Sequence, residues 1–233
     1  MASWTDYFFY RRETWRSTWT ARLIVVATAC LLFATTRGFW IHATAQSLIC
    51  TPDEVGAVEA VIIENFEVEY PLFPEAAQFQ KRGARVLVPV AASSDGHTPN
   101  LISARIVQVM ADVARLKDVE LIPVSETEPV VLTVAYRIRR FLDRERIRSV
   151  AVLVPGFRSR RSALVYKRVF GESHIAVACV PVLRNSSPDA WPSTWHGIQH
   201  VAEQLIKLQY YRFYVLPFAA EEPTRQVSID ELH

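Results

Sequence analysis

Residues Ile147 to Gly171, IRSVAVLVPGFRSRRSALVYKRVFG, decide the fold that the sequence predicts. Ser149 to Val154 is apolar and rich in valine, as is typical of a strand that is covered on both faces. Pro155 and Gly156 interrupt this run, and the residues after them show helical spacing of apolar side chains. We therefore predict a buried strand, a tight loop and a helix with Ser159 as its N-cap.

The start of this helix is rich in arginine. Arg158, Arg160 and Arg161 stand where the free backbone N–H groups and the positive end of the helix dipole would face a ligand. Together with Ser159 they predict an anion site at the carboxyl end of the strand. The alternative interpretation is that these arginines only solvate a helix end, and the residues leave both open.

Strand and helix patterns alternate along the rest of the chain. This order predicts an α/β fold, with a Rossmann-like, mostly parallel sheet of about five strands and helices on both faces. Loops after the strands would then form the ligand edge. The other predicted strands are Ala57–Ile63, Arg85–Val90, Val119–Val124 and His174–Val180, and the other predicted helices are Glu75–Arg82, Leu101–Leu116, Val130–Arg146 and Ser193–Tyr214.

An N-terminal transmembrane helix is predicted over residues 21–41. Leu23 to Thr36 carries no charge, and Trp19, Phe39 and Trp40 would lie at the two membrane interfaces. The arginine excess precedes the apolar run, which predicts a cytoplasmic N-terminus and a main domain outside the cytoplasm. The arginines before the run are Arg11, Arg12, Arg16 and Arg22.

A cleaved signal peptide is the competing interpretation of this segment. Ala43-Thr44-Ala45 has the small-residue pattern of a cleavage site. The long charged N-terminal region and the position of Arg37 favour an uncleaved signal anchor. The predicted organisation is a cytoplasmic segment at 1–20, the anchor at 21–41, a linker at 42–56, the α/β domain at 57–216 and a flexible tail at 217–233.

The chain resembles the YdcF/SanA/ElyC-like family of bacterial α/β domains over residues 58–214. Phe157, Ser159, Arg160, Arg161 and Ala163 fit the arginine-rich helix start of that family. The loop Ser93-Ser94-Asp95-Gly96 loosely matches its Ser-Gly-Gly turn, and Ser125–Glu128 matches its acidic loop.

The chain also departs from the family pattern. Arg158 stands where the family has His, Pro155 lies in a Thr-Ser position, and Glu64-Asn65-Phe66 replaces a glycine-rich turn. The helix start at Val130–Val134 is apolar where the family is polar. These departures indicate a divergent member.

The resemblance implies a single-pass protein of the bacterial inner (plasma) membrane that acts in cell-envelope or peptidoglycan metabolism. It implies a phosphorylated, nucleotide-like or lipid-linked ligand at the carboxyl ends of the strands. The residues expected to bind that ligand are Ser93, Ser94, Arg158, Ser159, Arg160 and Arg161.

Three carboxylates are candidate acid/base groups, namely Asp95, Glu126 and Glu128. For Glu126 and Glu128 the alternative is compensation of a helix dipole, and for Asp95 it is a turn residue. The residues do not decide whether the protein is an enzyme.

No cofactor and no metal are predicted. With 7 glycines and no G-x-G-x-x-G, the chain lacks a dinucleotide fingerprint. His196 and His200 are spaced as zinc ligands on a helix near Glu203, but on this aromatic helix they are expected to pack at the surface. The net charge of +2 argues against nucleic-acid binding.

Two cysteines, Cys50 and Cys179, fall in the predicted outer domain, where a disulfide is chemically allowed. Sequence does not fix their distance, and two separate buried thiols are the favoured interpretation.

The last helix, residues 193–214, is unusually aromatic, and an excess on its open face would bind a protein partner or membrane. This leaves an alternative function: an inactive scaffold or subunit of an envelope membrane complex.

Overall fold

The central sheet has five strands, and all of them are parallel. They are β1 (Ala60–Ile63), β2 (Arg85–Ala91), β3 (Val119–Val124), β4 (Ser149–Pro155) and β5 (Ala176–Val182). Their spatial order is β3-β2-β1-β4-β5. The computed structural model describes residues 19–52, 56–64, 70–125, 127–183 and 188–219. The predicted α/β class and the parallel sheet are confirmed.

Helices alternate with the strands. They are α1 (Trp19–Leu48), α2 (Leu72–Gln80), α3 (Leu101–Val113), α4 (Val130–Glu145), α5 (Ser159–Gly171) and α6 (Trp195–Tyr210). A π-helical turn (Tyr211–Val215) and a last turn (Leu216–Phe218) continue α6. Short 3₁₀ turns precede α5 at Gly156–Arg158 and α6 at Trp191–Ser193.

The two faces of the sheet are covered by different helices. Side chains of a strand alternate between faces, so Ala60 and Ile62 of β1 join one core and Val61 and Ile63 join the other. The first core holds α4, α5 and part of the C-terminal helical segment, and the second holds α2 and α3. All four side chains of β1 are fully buried, and each buried valine or isoleucine contributes about 1.5–3 kcal/mol.

The strand order reverses between β1 and β4. The chain first builds outward from β1 through β2 to β3, and then returns to place β4 and β5 on the other side of β1. In such sheets the crevice at the carboxyl ends of the two strands flanking this reversal is the usual ligand position. The residues after β1 and β4 therefore lie at the usual ligand position of such a sheet.

Most element boundaries lie close to the predicted ones, and two strands differ at their starts. β1 begins at Ala60 rather than Ala57, and β5 begins at Ala176 rather than His174. The reason at β5 is the end of α5: His174 adopts a left-handed φ of 54°, and the N–H of Ile175 bonds to the carbonyl of Phe170. These residues close the helix before the strand can begin.

Residues Trp19 to Trp40 form one compact unit, and α1 is the single described helix that is long and apolar enough to cross a membrane. At a rise of about 1.5 Å per residue, Trp19 and Trp40 are about 30 Å apart, which matches the hydrocarbon thickness of a bilayer. The hydroxyls of Thr35 and Thr36 donate to carbonyls one turn back, so both are satisfied within the helix.

The second unit begins at Ile41, within α1. The predicted linker at 42–56 is therefore helical up to Leu48. Ala45, Leu48 and Ile49 are buried against Phe157 and α6. The indole N–H of Trp191 donates to the carbonyl of Ile41 at 3.2 Å. This segment is an integral part of the domain rather than a spacer.

Cys50 and Cys179 form a disulfide, with their Cα atoms 6.4 Å apart. The prediction of two separate thiols is wrong, because the residues after α1 pack against the turn after β4 and bring Cys50 to β5. Cys30, in α1, is a free and exposed cysteine. The disulfide ties the start of the domain to an edge strand of the sheet.

Candidate functional site at the carboxyl ends of β1 and β4

The arginine turn lies immediately after β4, at the carboxyl edge of the sheet. Its residues are buried to different degrees: Arg158 is 4% exposed and Arg161 is 8% exposed, whereas Arg160 is half-buried. A guanidinium is rarely this buried unless it has polar or charged partners. The structure thus brings the predicted arginines to the predicted edge, but only Arg160 retains substantial contact with solvent.

Ser159 does not cap α5, so that prediction is wrong. The helix begins at Ser159 itself and has no side-chain cap. The Ser159 hydroxyl donates to the carbonyl of Gly156 at 2.6 Å and accepts from the backbone N–H of Cys50 at 2.9 Å. It therefore holds the segment after α1 against the turn.

Glu64 is the carboxylate of this edge that the sequence analysis did not single out as a site residue. It follows β1 directly, is fully buried, and its backbone N–H donates to the carbonyl of Leu153 in β4. The hydroxyl of Ser162, in α5, donates to its Oε1 at 2.8 Å. The sequence does contain a signal for Glu64, since an acidic residue that directly follows a fully apolar strand is expected at the ligand edge of a parallel sheet.

Tyr166 lies one turn beyond Ser162 and is also fully buried. Burial, and secondarily the nearby charge of Glu64, raise the pKa of its hydroxyl well above the ordinary tyrosine value. The phenol is therefore neutral at physiological pH. Ser162 bonds to Glu64, and the charge of Glu64 acts on the Tyr166 hydroxyl, so these three buried groups lie near one another.

Tyr211, in the π-helical turn, is buried against the arginine turn. The guanidinium carbon of Arg161 lies 5.3 Å from the centre of the Tyr211 ring. Burial raises the pKa of Tyr211; Arg161 opposes this shift, and the charge of Glu128 adds to it. Tyr211 therefore packs between α5 and the start of α4. Gln204, one helical segment earlier, is also buried.

Glu128 lies at the start of α4, where its carboxylate accepts from the backbone N–H of Val130 at 3.3 Å. This contact fits the alternative interpretation of a group that compensates the helix N-terminus. Glu126 and the loop at 65–69 that follows β1 lie outside the described residues.

Asp95 organises the loop after β2. Its carboxylate accepts from the backbone N–H groups of His97 and Thr98 and from the hydroxyls of Thr98 and Ser93. These bonds, led by the one from the Thr98 N–H, hold the pKa of Asp95 well below its usual value. An acid held ionised in this way is suited to a turn rather than to proton transfer. Ser93 takes part in the same turn, and Ser94 is exposed.

Of the two histidines of α6, His196 is exposed and His200 packs near Phe157. The ring of His200 lies 6.0 Å from that of Phe157. Glu203 pairs with Lys207, which lowers the Glu203 pKa. Within the described ranges, no three or more His, Cys, Asp or Glu side chains come together as metal ligands.

The edge as a whole combines buried guanidinium groups with one buried carboxylate and neutral hydroxyls. It is covered by Ala45–Cys50 on one side and by α6 with its π-helical turn on the other. The half-buried guanidinium of Arg160 could donate to an anion at this edge.

No family model, curated protein or solved structure matches the chain.

Proposed function

We propose that the chain is a membrane-anchored α/β domain of the bacterial cell envelope that binds a phosphorylated or nucleotide-like ligand at the carboxyl ends of β1 and β4. The observation that carries this proposal is the position of Arg158, Arg160 and Arg161 directly after β4, at the point where the strand order reverses. Among the described residues of this edge the arginines outnumber the one buried carboxylate, Glu64, which favours an anionic ligand.

The membrane assignment rests on α1 and the disulfide together. The helix is long and apolar enough to cross a bilayer. Disulfides persist in oxidising compartments, so the Cys50–Cys179 bond supports a domain outside the cytoplasm. This is the side that the arginine excess before Leu23 favours.

Arg160 is the residue that tests ligand binding. It is half-buried at the first turn of α5, whereas Arg158 and Arg161 are packed inside the domain and their replacement would disturb folding. A charge-assisted hydrogen bond contributes about 1.5–3 kcal/mol, so losing one weakens binding about tenfold or more.

The experiment is calorimetric titration of uridine diphosphate into the full chain in mild detergent. We expect saturable binding by the wild type and about tenfold weaker binding by Arg160→Ala. The matched control is Arg168→Ala, an exposed arginine two turns further along α5, which should bind as the wild type does. Absence of saturable binding, or equal losses in both variants, would overturn the proposal.

A non-catalytic scaffold is the second candidate, and the exposed aromatic face at the C-terminal end favours it. Phe213, Tyr214 and Phe218 are 67%, 62% and 74% exposed. The Tyr214 ring also stacks on Tyr210 at 5.4 Å. If this face holds a protein partner, Phe213→Ser with Tyr214→Ser should release a stoichiometric partner from the purified complex. A monodisperse monomer without partners would count against this function.

A further inference from the structure

A second basic site lies away from the carboxyl ends of β1 and β4, in a groove between the edge strand β3 and the helix α4. Its volume is about 240 Å³. Three arginines of α4, Arg137, Arg140 and Arg144, line it together with His97 from the loop after β2. Their spacing of three and four residues places the arginines on one face of the helix.

The side chains that line the groove include no acidic group among the described residues. The two acidic residues of α4 are engaged elsewhere. Asp143 accepts from Arg148 and Ser173, and Glu145 accepts from Arg85. Neither carboxylate of α4 therefore lines the groove, whose charged side chains in the described residues are all arginines.

His97 is held in place by its own loop. Asp95 accepts the backbone N–H of His97 at 2.9 Å, and the loop is closed by a bridge between Ala92 and Pro99. This turn fixes the backbone that presents the imidazole opposite α4. An imidazole N–H can donate to the same anion as the guanidinium groups.

The shape of the groove argues against a peptide strand as its occupant. Among the described residues β3 pairs with β2 alone, and Pro123 removes one backbone donor from this strand. The volume is also below the roughly 300–1,000 Å³ of sites for drug-sized ligands. A compact and multiply charged anion fits both observations.

We propose that this groove binds a phosphate-bearing group, through the forked guanidinium donors of Arg137, Arg140 and Arg144 and the ring of His97. Guanidinium groups match phosphate in geometry as well as in charge. Phe141 provides an apolar wall for the part of the ligand next to the phosphate. The source of the phosphate is either a soluble metabolite or the headgroup of an anionic lipid.

The test uses the full chain in nanodiscs of phosphatidylcholine, with inorganic pyrophosphate as the probe in calorimetric titration. We expect saturable binding by the wild type and binding weaker by about tenfold or more when Arg137, Arg140 and Arg144 are replaced together by alanine. The control replaces three exposed arginines outside the groove, Arg82, Arg105 and Arg168, and should change affinity less than about threefold.

A second set of nanodiscs, containing phosphatidic acid, distinguishes the two sources. Competition by this lipid in the wild type but not in the groove variant identifies a headgroup, and undiminished pyrophosphate binding identifies a soluble ligand. If the triple variant unfolds, Arg144→Ala alone, at an exposed position, carries the test. No pyrophosphate binding in neutral nanodiscs, or equal losses in groove and control variants, would overturn the proposal.

Discussion

Gly197, in the first turn of α6, lies directly against the carbonyl oxygen of Trp191. A Cβ atom at this position would lie 2.1 Å from that oxygen and 3.0 Å from the carbonyl carbon. Both obstacles are backbone atoms, so a side-chain rotation cannot relieve the clash. We expect Gly197→Ala to lower the free energy of unfolding by about 1–3 kcal/mol, measured by thermal unfolding in detergent.

Gly171 provides the matched control for this substitution. It is the last residue of α5, its backbone is helical, and no atom lies within 4 Å of a Cβ built on it. Gly171→Ala should leave stability unchanged or raise it by about 0.5–1 kcal/mol, since alanine loses less backbone entropy on folding. Equal effects of the two substitutions would show that the turn at Trp191 is not packed as described.

At the level of single residues, the sequence predicted where the arginine turn lies but not how deeply it is buried. Its position follows from the apolar strand before it, which is a local signal. Its burial depends on Ala45–Cys50 and on Tyr211, and these are distant in sequence. The bond from the Cys50 N–H to Ser159, for example, joins residues 109 positions apart. Local patterns carry no information about such covering segments.

At the level of elements, the five strands were predicted because each is a mostly apolar run bounded by loops or helices, although β1 and β5 begin later than predicted. The C-terminal end of α1 was not predicted, since a helix that leaves a membrane and a flexible linker look alike in composition. What distinguishes them is the packing of Leu48 and Ile49 against Phe157 and α6, together with the disulfide at Cys50.

The disulfide leads to a prediction about this element. Cys50 and Cys179 are separated by 129 positions, so the bond closes a long loop in the unfolded chain. We expect the double variant Cys50→Ser, Cys179→Ser to lose about 2–4 kcal/mol of stability under oxidising conditions. Thermal unfolding with and without a reductant measures the effect, and the reductant should lower the transition of the wild type only.

Cys30→Ser is the control for the disulfide variant, because Cys30 is exposed and free. It should unfold as the wild type does, and mass spectrometry after alkylation should find only one reactive thiol in the unreduced wild type. Labelling of all three cysteines without a reductant would contradict the pairing of Cys50 with Cys179.

For the whole molecule, the orientation of α1 in the membrane and the stability of the disulfide both depend on which side of the membrane the α/β domain occupies. If α1 spans the bilayer with its N-terminus inside, the domain that starts at Ile41 folds outside, where a disulfide forms and persists. The opposite orientation would place Cys50 and Cys179 in a reducing compartment. The domain would then lose the disulfide that joins the end of its N-terminal segment to β5. Orientation and stability are therefore linked in this chain.

This link gives a prediction of topology, tested with the full chain expressed in a bacterium. Alkaline phosphatase fused after His233 should be active, because that enzyme folds only outside the cytoplasm, and a fluorescent protein at the same position should remain dark.

Replacing Arg11, Arg12 and Arg16 with glutamate removes most of the positive charge before Leu23. This should reduce phosphatase activity, since positively charged residues are retained on the cytoplasmic side. The same replacement should raise the fraction of reduced Cys50 and Cys179 in proportion, because inverted chains fold in a reducing compartment. A fluorescent C-terminal fusion on the wild-type chain, with both cysteines reduced, would refute the orientation and the envelope function that depends on it.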